Sequence, residues 1–415
     1  MSIKKLLLFI FIFRPIIDLA WNDNLFGGLN LAGIISVLMI ILTFVFLAQK
    51  RKLKIDGVVE SGLMLVGWSF LITIFNFSSY ADFDFSLRLL SALCFYIVVT
   101  LEINENELEK TLKWFMIITL VPIVLTYLQS FGLVEYTYYD YINNEQVWRG
   151  SGGYHQPSVL TRYCIFGLLY AYYFLEKNKT KHTSNFFLYV YICLNLVAVF
   201  LSYHRTAYAL LVLVSLYWFY MQNKGKIHKY VPRIIAVGFV GVTVFIGLYA
   251  AGVFTLDLEM FKSLLSLDNF IRVRNGEYYL HLRGRGAIIQ LLIDSFGENP
   301  WYNVAFGNGV NINKVSKIDM SVADMDFIRI FWHIGIIGFI LWVYHIYKIK
   351  WVIKRASNES VWKRMAKCMF LLFFVWGFTL EVTSTPNLMC HVYLICGFAL
   401  SQKHTQNDLE IYKLQ

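Results

Sequence analysis

The chain has 415 residues, 58% of them hydrophobic and 15% charged, with a formal net charge of +10. A soluble globular chain would be about a quarter charged, so composition excludes that class. The positive balance lies in short gaps between apolar runs, which marks membrane topology and argues against a nucleic-acid surface.

The apolar runs approach or reach the roughly 18–20 residues that a bilayer core requires. Such runs must be helical, because helices and closed barrels alone satisfy their backbone in lipid. A barrel would show alternating strands of about ten residues, and these runs are apolar on all sides. About twelve spans are expected on this length criterion. In chain order they cover 6–20, 29–48, 58–77, 87–101, 112–131, 159–175, 186–201, 207–221, 234–252, 327–347, 366–382 and 388–400. The first is expected to be a retained span. It lacks a small-residue cleavage site and carries Arg14, Pro15 and Asp18. Arg14 and Asp18 stand one helical turn apart and are expected to pair.

Lys and Arg in the gaps set the orientation. Lys4 and Lys5 precede the first span, and Lys50, Arg51, Lys52 and Lys54 follow the second. Lys110 and Lys113, then Lys177, Lys179 and Lys181, then Lys224, Lys226, Lys229 and Arg233 fall on the same side. So does the run from Lys348 to Lys367. That side is expected to be cytoplasmic, with both termini on it. The expected fold is an all-α polytopic membrane protein with one large extracytoplasmic loop. Residues 1–252 form helices one to nine, 253–325 the loop or lid, and 326–415 helices ten to twelve with a cytoplasmic tail.

The six cysteines form no CxxC pair, so neither a disulfide framework nor a zinc site is expected. No phosphate-binding glycine motif or metal-spaced His pair is present, so no metal, nucleotide or other cofactor is expected.

Two outer segments stand out. Residues 132–157 read GLVEYTYYDYINNEQVWRGSGGYHQP. This is either an interfacial aromatic belt with a turn or a sugar-binding lip. Arg149 beside the Ser-Gly-Gly run, with its backbone amides, would suit an anion, and His155 lies close by. The long segment up to 325 is expected to fold as a cap, since a structureless loop of that size is unusual. Within it FKSLLSLDNFIRVRN would form an interfacial amphipathic helix. The arginines of His281-Leu282-Arg283-Gly284-Arg285-Gly286, ahead of a helical apolar run, suit phosphate.

Charges at span ends complete the set. Arg205, in the turn Ser202-Tyr203-His204-Arg205-Thr206, breaks the positive-inside pattern at the bundle mouth. Asp324 and Asp326 open the tenth span, either as helix caps or with one facing a cavity as a general base. Glu381, near the outer end of the eleventh span, is a candidate partner for an outer arginine.

The order Tyr203-His204-Arg205-Thr206, then Gly284-Arg285-Gly286, Asn299-Pro300, Gly307-Asn308-Gly309, and finally Asp324-Met325-Asp326-Phe327-Ile328-Arg329 running into Gly335-Ile336-Ile337-Gly338, resembles the bacterial O-antigen ligase and polymerase superfamily. It is most similar to the Wzy-type O-antigen and capsular polysaccharide polymerases, as is the opening Phe13-Arg14-Pro15-Ile16-Ile17-Asp18. The resemblance implies a GT-C-like bundle in the bacterial cytoplasmic membrane. It implies undecaprenyl-pyrophosphate-linked oligosaccharides as donor and acceptor, with a flippase and a chain-length regulator as partners. Arg205 and Arg285 fall on the two arginines of the ligases, and Asp324 falls where the ligases carry His. That departure favours a polymerase. The chemistry so implied is inverting glycosyl transfer. Asp324 or Asp326 would serve as base. Arg205 and Arg285 would hold the pyrophosphate, with Arg283, Arg149, His155 and Glu381 contributing to the pyrophosphate and glycan site. A ligase that transfers finished glycan and a flippase for the same lipid-linked sugars are the alternatives.

Overall fold

The structure is a computed structural model that describes residues 2–20, 24–26, 29–51, 55–77, 80–142, 145–178, 185–223, 300–309, 326–356, 361–377 and 385–413. Twelve α-helices are described: α1 (Ile3–Ile17), α2 (Leu31–Lys50), α3 (Gly57–Phe75), α4 (Asp84–Glu102), α5 (Glu105–Ser130), α6 (Pro157–Asn178), α7 (Phe186–Leu201), α8 (Arg205–Gln222), α9 (Trp301–Phe306), α10 (Asp326–Arg355), α11 (Val361–Gly377) and α12 (Pro386–Lys413). Two short antiparallel hairpins interrupt them: β1 (Asn24–Phe26) with β2 (Leu29–Asn30), and β3 (Tyr139–Ile142) with β4 (Glu145–Trp148).

Each expected span except 234–252, which lies outside the described residues, coincides with one of these helices. Six of the described helices are long and apolar enough to cross a membrane, and three shorter ones are apolar. Local sequence sets their starts. Asp56 caps α3 by accepting from the Val58 and Val59 amides, both at 2.9 Å. Asn104 and Glu107 form a capping box on α5. These side chains take amides that the first helical turn leaves unsatisfied.

Helix α4 is central. It packs on α2, α3 and α12, and its run Ser91–Val99 is buried throughout. Helix α6 is buried along almost all its length. The outer helices keep exposed apolar faces, such as Ile41 and Phe44 on α2 and Trp114, Ile117, Val121 and Val124 on α5. Such faces suit lipid, where apolar exposure carries no penalty and packing with interhelical hydrogen bonds must hold helices together. Bonds of that kind join Ser69 to Ser86 at 2.7 Å, Thr119 to Tyr191 at 2.7 Å and Tyr172 to Ser215 at 3.0 Å.

The basic gaps gather at one end of the bundle and meet acidic partners there. Lys4 pairs with Glu107 at 2.8 Å, linking the starts of α1 and α5. Lys50 pairs with Glu102, Lys177 with Glu109, and Arg364 with Glu176. Lys363 Nζ donates to the carbonyls of Lys354 and Ala356 at 2.9 and 2.7 Å, tying the start of α11 to the end of α10.

The tenth expected span departs from a simple helix. Gly335 sits at φ 68°, ψ −172° inside α10 and divides it into two helical segments. Of the expected loop 253–325, the described part is Pro300–Gly309, which contains α9. The expected amphipathic helix, the Arg283 and Arg285 region and the remaining lid lie outside the described residues.

Candidate functional site

At the end of the bundle opposite the lysines, the segment from Arg149 to His155 is pinned between α5, α7 and α1. Gln129 Oε1, at the end of α5, accepts from the Ser151 and Gly152 amides at 3.2 and 3.1 Å. The Gly150 amide donates to the Leu201 carbonyl at 3.2 Å, and Thr137 Oγ1 donates to the Tyr154 carbonyl at 2.8 Å. The glycines are there for close packing. A β-carbon on Gly152, at φ +62°, would lie 2.5 Å from the Pro122 carbonyl oxygen, and one on Gly150 would lie 2.9 Å from that of Leu201. The expectation that these amides cradle an anion is corrected here, since those of Gly150, Ser151 and Gly152 are taken by the protein itself. The buried Arg149 side chain remains the anion-binding candidate of this segment, close enough to Tyr208 on α8 to interact electrostatically.

Tyr154 carries this segment to α1, where its hydroxyl donates to the Pro15 carbonyl at 2.6 Å. Burial pushes the Tyr154 phenol well above its ordinary range and keeps it a neutral donor. Pro15 cannot continue the hydrogen-bond ladder of a helix. Beside it the Arg14–Asp18 pair forms as expected, with Nε–Oδ1 at 2.7 Å, and Tyr163 of α6 donates to the other Asp18 oxygen at 2.5 Å. His155 lies within the field of these groups. Burial first, and the Arg162 guanidinium second, hold its pKa below the usual imidazole value, against the pull of Asp18. The α7–α8 turn closes over the same region. His204 Nδ1 is 3.3 Å from Thr161 Oγ1 on α6, and Arg205 opens α8.

A second polar focus surrounds the break in α10. The turn Gly307-Asn308-Gly309 is stitched to it. The Asn308 amide donates to the Trp332 carbonyl and the Gly309 amide to the His333 carbonyl, both at 3.0 Å. Trp68 Nε1 on α3 donates to the Ile334 carbonyl at 2.9 Å. Carbonyls released where the helix breaks thus find partners, as backbone inside a membrane bundle requires. The seam needs glycine on both sides. A β-carbon on Gly307 would lie 2.6 Å from the Gly335 nitrogen, and one on Gly335 would lie 2.5 Å from the Gly307 nitrogen.

Around this seam Asn308 Oδ1, Trp332 Nε1 and His333 Nδ1 are buried and make no hydrogen bond among the described residues. Buried polar atoms are almost always satisfied, so three unsatisfied ones at one junction mark a place where polar groups of a ligand could bind. Arg329 stands one turn before His333 and acts on it electrostatically. Asp326 is buried at the start of the same helix. A β-carbon on the facing Gly377 of α11 would lie 3.9 Å from its Cβ.

Of the expected site residues, Arg149, His155 and Asp326 fall at this end of the bundle, as does the backbone of Arg205. Asp324, Arg283, Arg285 and Glu381 lie outside the described residues. Sequence reasoning did not single out Gln129, Tyr163, Arg162, Trp332 or His333. Asn308 and the glycines of the seam were visible only as motif letters. At the open end of the β3–β4 hairpin, exposed Tyr139 and Trp148 form an aromatic rim, pairing edge to face with centroids 5.2 Å apart. No protein-family model matches the chain, and no curated protein matches it.

Proposed function

We propose that this chain is an integral-membrane polysaccharide polymerase. It joins undecaprenyl-pyrophosphate-linked oligosaccharide repeat units by inverting glycosyl transfer at the outer face of the bacterial cytoplasmic membrane. The observation that carries the reading is the set of unsatisfied buried polar atoms on Asn308, Trp332 and His333, with Arg329 one turn before His333 and Asp326 at the start of the same helix. Such groups suit sugar hydroxyls, which donate and accept. About twelve spans, with the lysine-rich end and both termini in the cytoplasm, complete this reading.

In this scheme the donor's anomeric carbon is attacked by a hydroxyl of the acceptor's sugar. A carboxylate, Asp324 or Asp326, takes the hydroxyl proton as the new C–O bond forms. The bond from the anomeric carbon to the pyrophosphate oxygen breaks with inversion, and the electron pair leaves on the lipid pyrophosphate. Arg205 and Arg285 stabilise that leaving charge, with Arg149 and Arg283 contributing, and guanidinium suits it through bidentate contacts. His155 and the aromatic rim contact glycan, and Glu381 holds an outer arginine in place. A flippase and a chain-length regulator would act on the same substrates.

The test is the surface glycan ladder of a strain lacking this chain, complemented with wild type, Asp326→Asn, Asp324→Asn or Arg149→Ala. The reading expects single lipid-linked repeat units in the deletion strain and a ladder restored by wild type. At least one of the aspartate variants should fail to restore it. Long polymer trapped on its carrier would indicate a ligase instead. A flippase for the same lipid-linked sugars is the alternative that the same assay resolves. Repeat units confined to the inner leaflet would support it.

A further inference from the structure

At the lysine-rich end, between α8, α10 and α11, lies a cavity of about 890 Å³. Its mouth carries Lys350, Lys354, Lys363 and Lys367, and none of its described lining residues is acidic. Elsewhere at that end, by contrast, Lys4, Lys50, Lys177 and Arg364 each meet a glutamate. Lys363 is committed to the carbonyls that end α10, so it fixes the shape of the mouth. Lys350, Lys354 and Lys367 are left to act on whatever enters.

Below the mouth the wall turns apolar, with Leu213, Tyr217, Trp351, Phe370 and Phe374. Phe374 is two helical turns deeper on α11 than Lys367, about 10 Å at the α-helical rise. A soluble anion would neutralise the lysines and leave this wall unfilled. A zwitterionic lipid would fill the wall and leave the lysines without net countercharge. A molecule with an anionic head and acyl chains satisfies both halves. Basic pockets between membrane helices on the cytoplasmic side are suited to such headgroups.

We propose that this cavity is a binding site for an anionic phospholipid of the adjacent leaflet. The phosphate sits among Lys350, Lys354 and Lys367, and the acyl chains lie against Phe370 and Phe374. The inference needs membrane insertion but not the polymerase reading, and it occupies the end of the bundle opposite the polar seam.

The test uses the full chain in nanodiscs of phosphatidylcholine with increasing phosphatidylglycerol, and native mass spectrometry to count retained lipids. Wild type should retain phosphatidylglycerol selectively. The triple variant Lys350→Gln, Lys354→Gln, Lys367→Gln should weaken retention about a hundredfold, roughly fivefold for each lysine near the surface. A control triple, Lys5→Gln, Lys110→Gln, Lys113→Gln, removes equal charge elsewhere at the same end and should stay near wild type. Equal losses in both triples would mean diffuse attraction and would overturn the site. So would equal retention of phosphatidylcholine. Displacement of phosphatidylglycerol by equimolar polyprenyl phosphate would assign the cavity to the carrier lipid and overturn the phospholipid assignment. One arm needs no variant. Phosphatidylglycerol with a photoreactive diazirine tail should label peptides containing Phe370 and Phe374 in the unmodified protein, and labelling confined to other helices would refute the proposal.

Discussion

Replacing Gly335 with alanine tests whether the break in α10 is what holds the segment Pro300–Gly309 in place. At φ 68°, ψ −172° the residue occupies a region essentially reserved for glycine, and a side chain there costs about 1–3 kcal/mol. The new β-carbon would also lie 2.5 Å from both the Ala305 oxygen and the Gly307 nitrogen. No flexible side-chain end is there to yield, so the seam itself must open. Opening it loses the two amide bonds from Asn308 and Gly309, each worth about 0.5–1.5 kcal/mol. The expected sum is about 2–6 kcal/mol, concentrated at the seam. A local opening fits better than global unfolding, because an alanine lets α10 continue as an ordinary helix while the loop detaches. The assay is chymotryptic cleavage of the purified chain in detergent, read at Trp301, Tyr302 and Phe306, alongside thermal unfolding. Gly67→Ala is the control, since a β-carbon there meets nothing within 4 Å. In a helix interior that change should be neutral or stabilising by up to about 1 kcal/mol. Wild-type cleavage and melting in Gly335→Ala would refute the argument that this glycine is required by backbone contact.

The unsatisfied atoms give an opposed pair of effects. Asn308→Leu or His333→Leu should leave thermal stability unchanged or raise it by about 1–3 kcal/mol, while shortening the glycan ladder. Loss of stability together with unchanged ladder length would show that these side chains serve the fold. His155 carries a pH dependence. Its folded pKa is lowered, so its contribution to stability is present above the ordinary imidazole value of about 6.5 and is lost as pH falls below it. His155→Gln should flatten the melting temperature between pH 7 and 5, and an unchanged slope would remove His155 as its source. For topology, a single cysteine at Leu133 in a cysteine-free background should react with an impermeant maleimide in intact cells. One at Lys110 should react only after permeabilisation, and the reverse result would invert the proposed orientation.

The long described helices were legible because their signal is redundant, combining length, apolarity and flanking charge. The Arg14–Asp18 pair was legible for the same reason, since i,i+4 spacing brings the two side chains together on any helix. The polar seam was not. Trp332 and His333 look like ordinary members of an apolar helix, and only the dihedral angles of Gly335 and the arrival of Asn308 make them a site. The Arg149 segment misled in the opposite direction. Its glycines suggested open amides, but Gln129 lies about twenty residues away in sequence, and no local pattern announces that its carboxamide will take them. Contacts between distant segments are where sequence pattern gives no spacing to read.

The two ends of the bundle follow different rules, and the difference bears on mechanism. At the lysine-rich end Lys4, Lys50, Lys177 and Arg364 meet glutamates, as a structural face requires. Within the bundle, His345 is held by Ser61 at 2.9 Å on one nitrogen and by Tyr393 at 2.6 Å on the other. His391 meets the Tyr170 hydroxyl at 2.5 Å and stacks on Phe166. The protein engages both nitrogens of His345 and the Nδ1 of His391, so these two give a translocated substrate little to bind and weaken the transporter reading. His333 differs, since its Nδ1 makes no bond, and it sits at the seam opposite the lysines. There the chain keeps a glycine-only conformation and three unsatisfied polar atoms, although a continuous apolar helix would avoid both costs. Local rules are broken in this way where function demands it. The imbalance therefore favours chemistry at that surface over passage through the core.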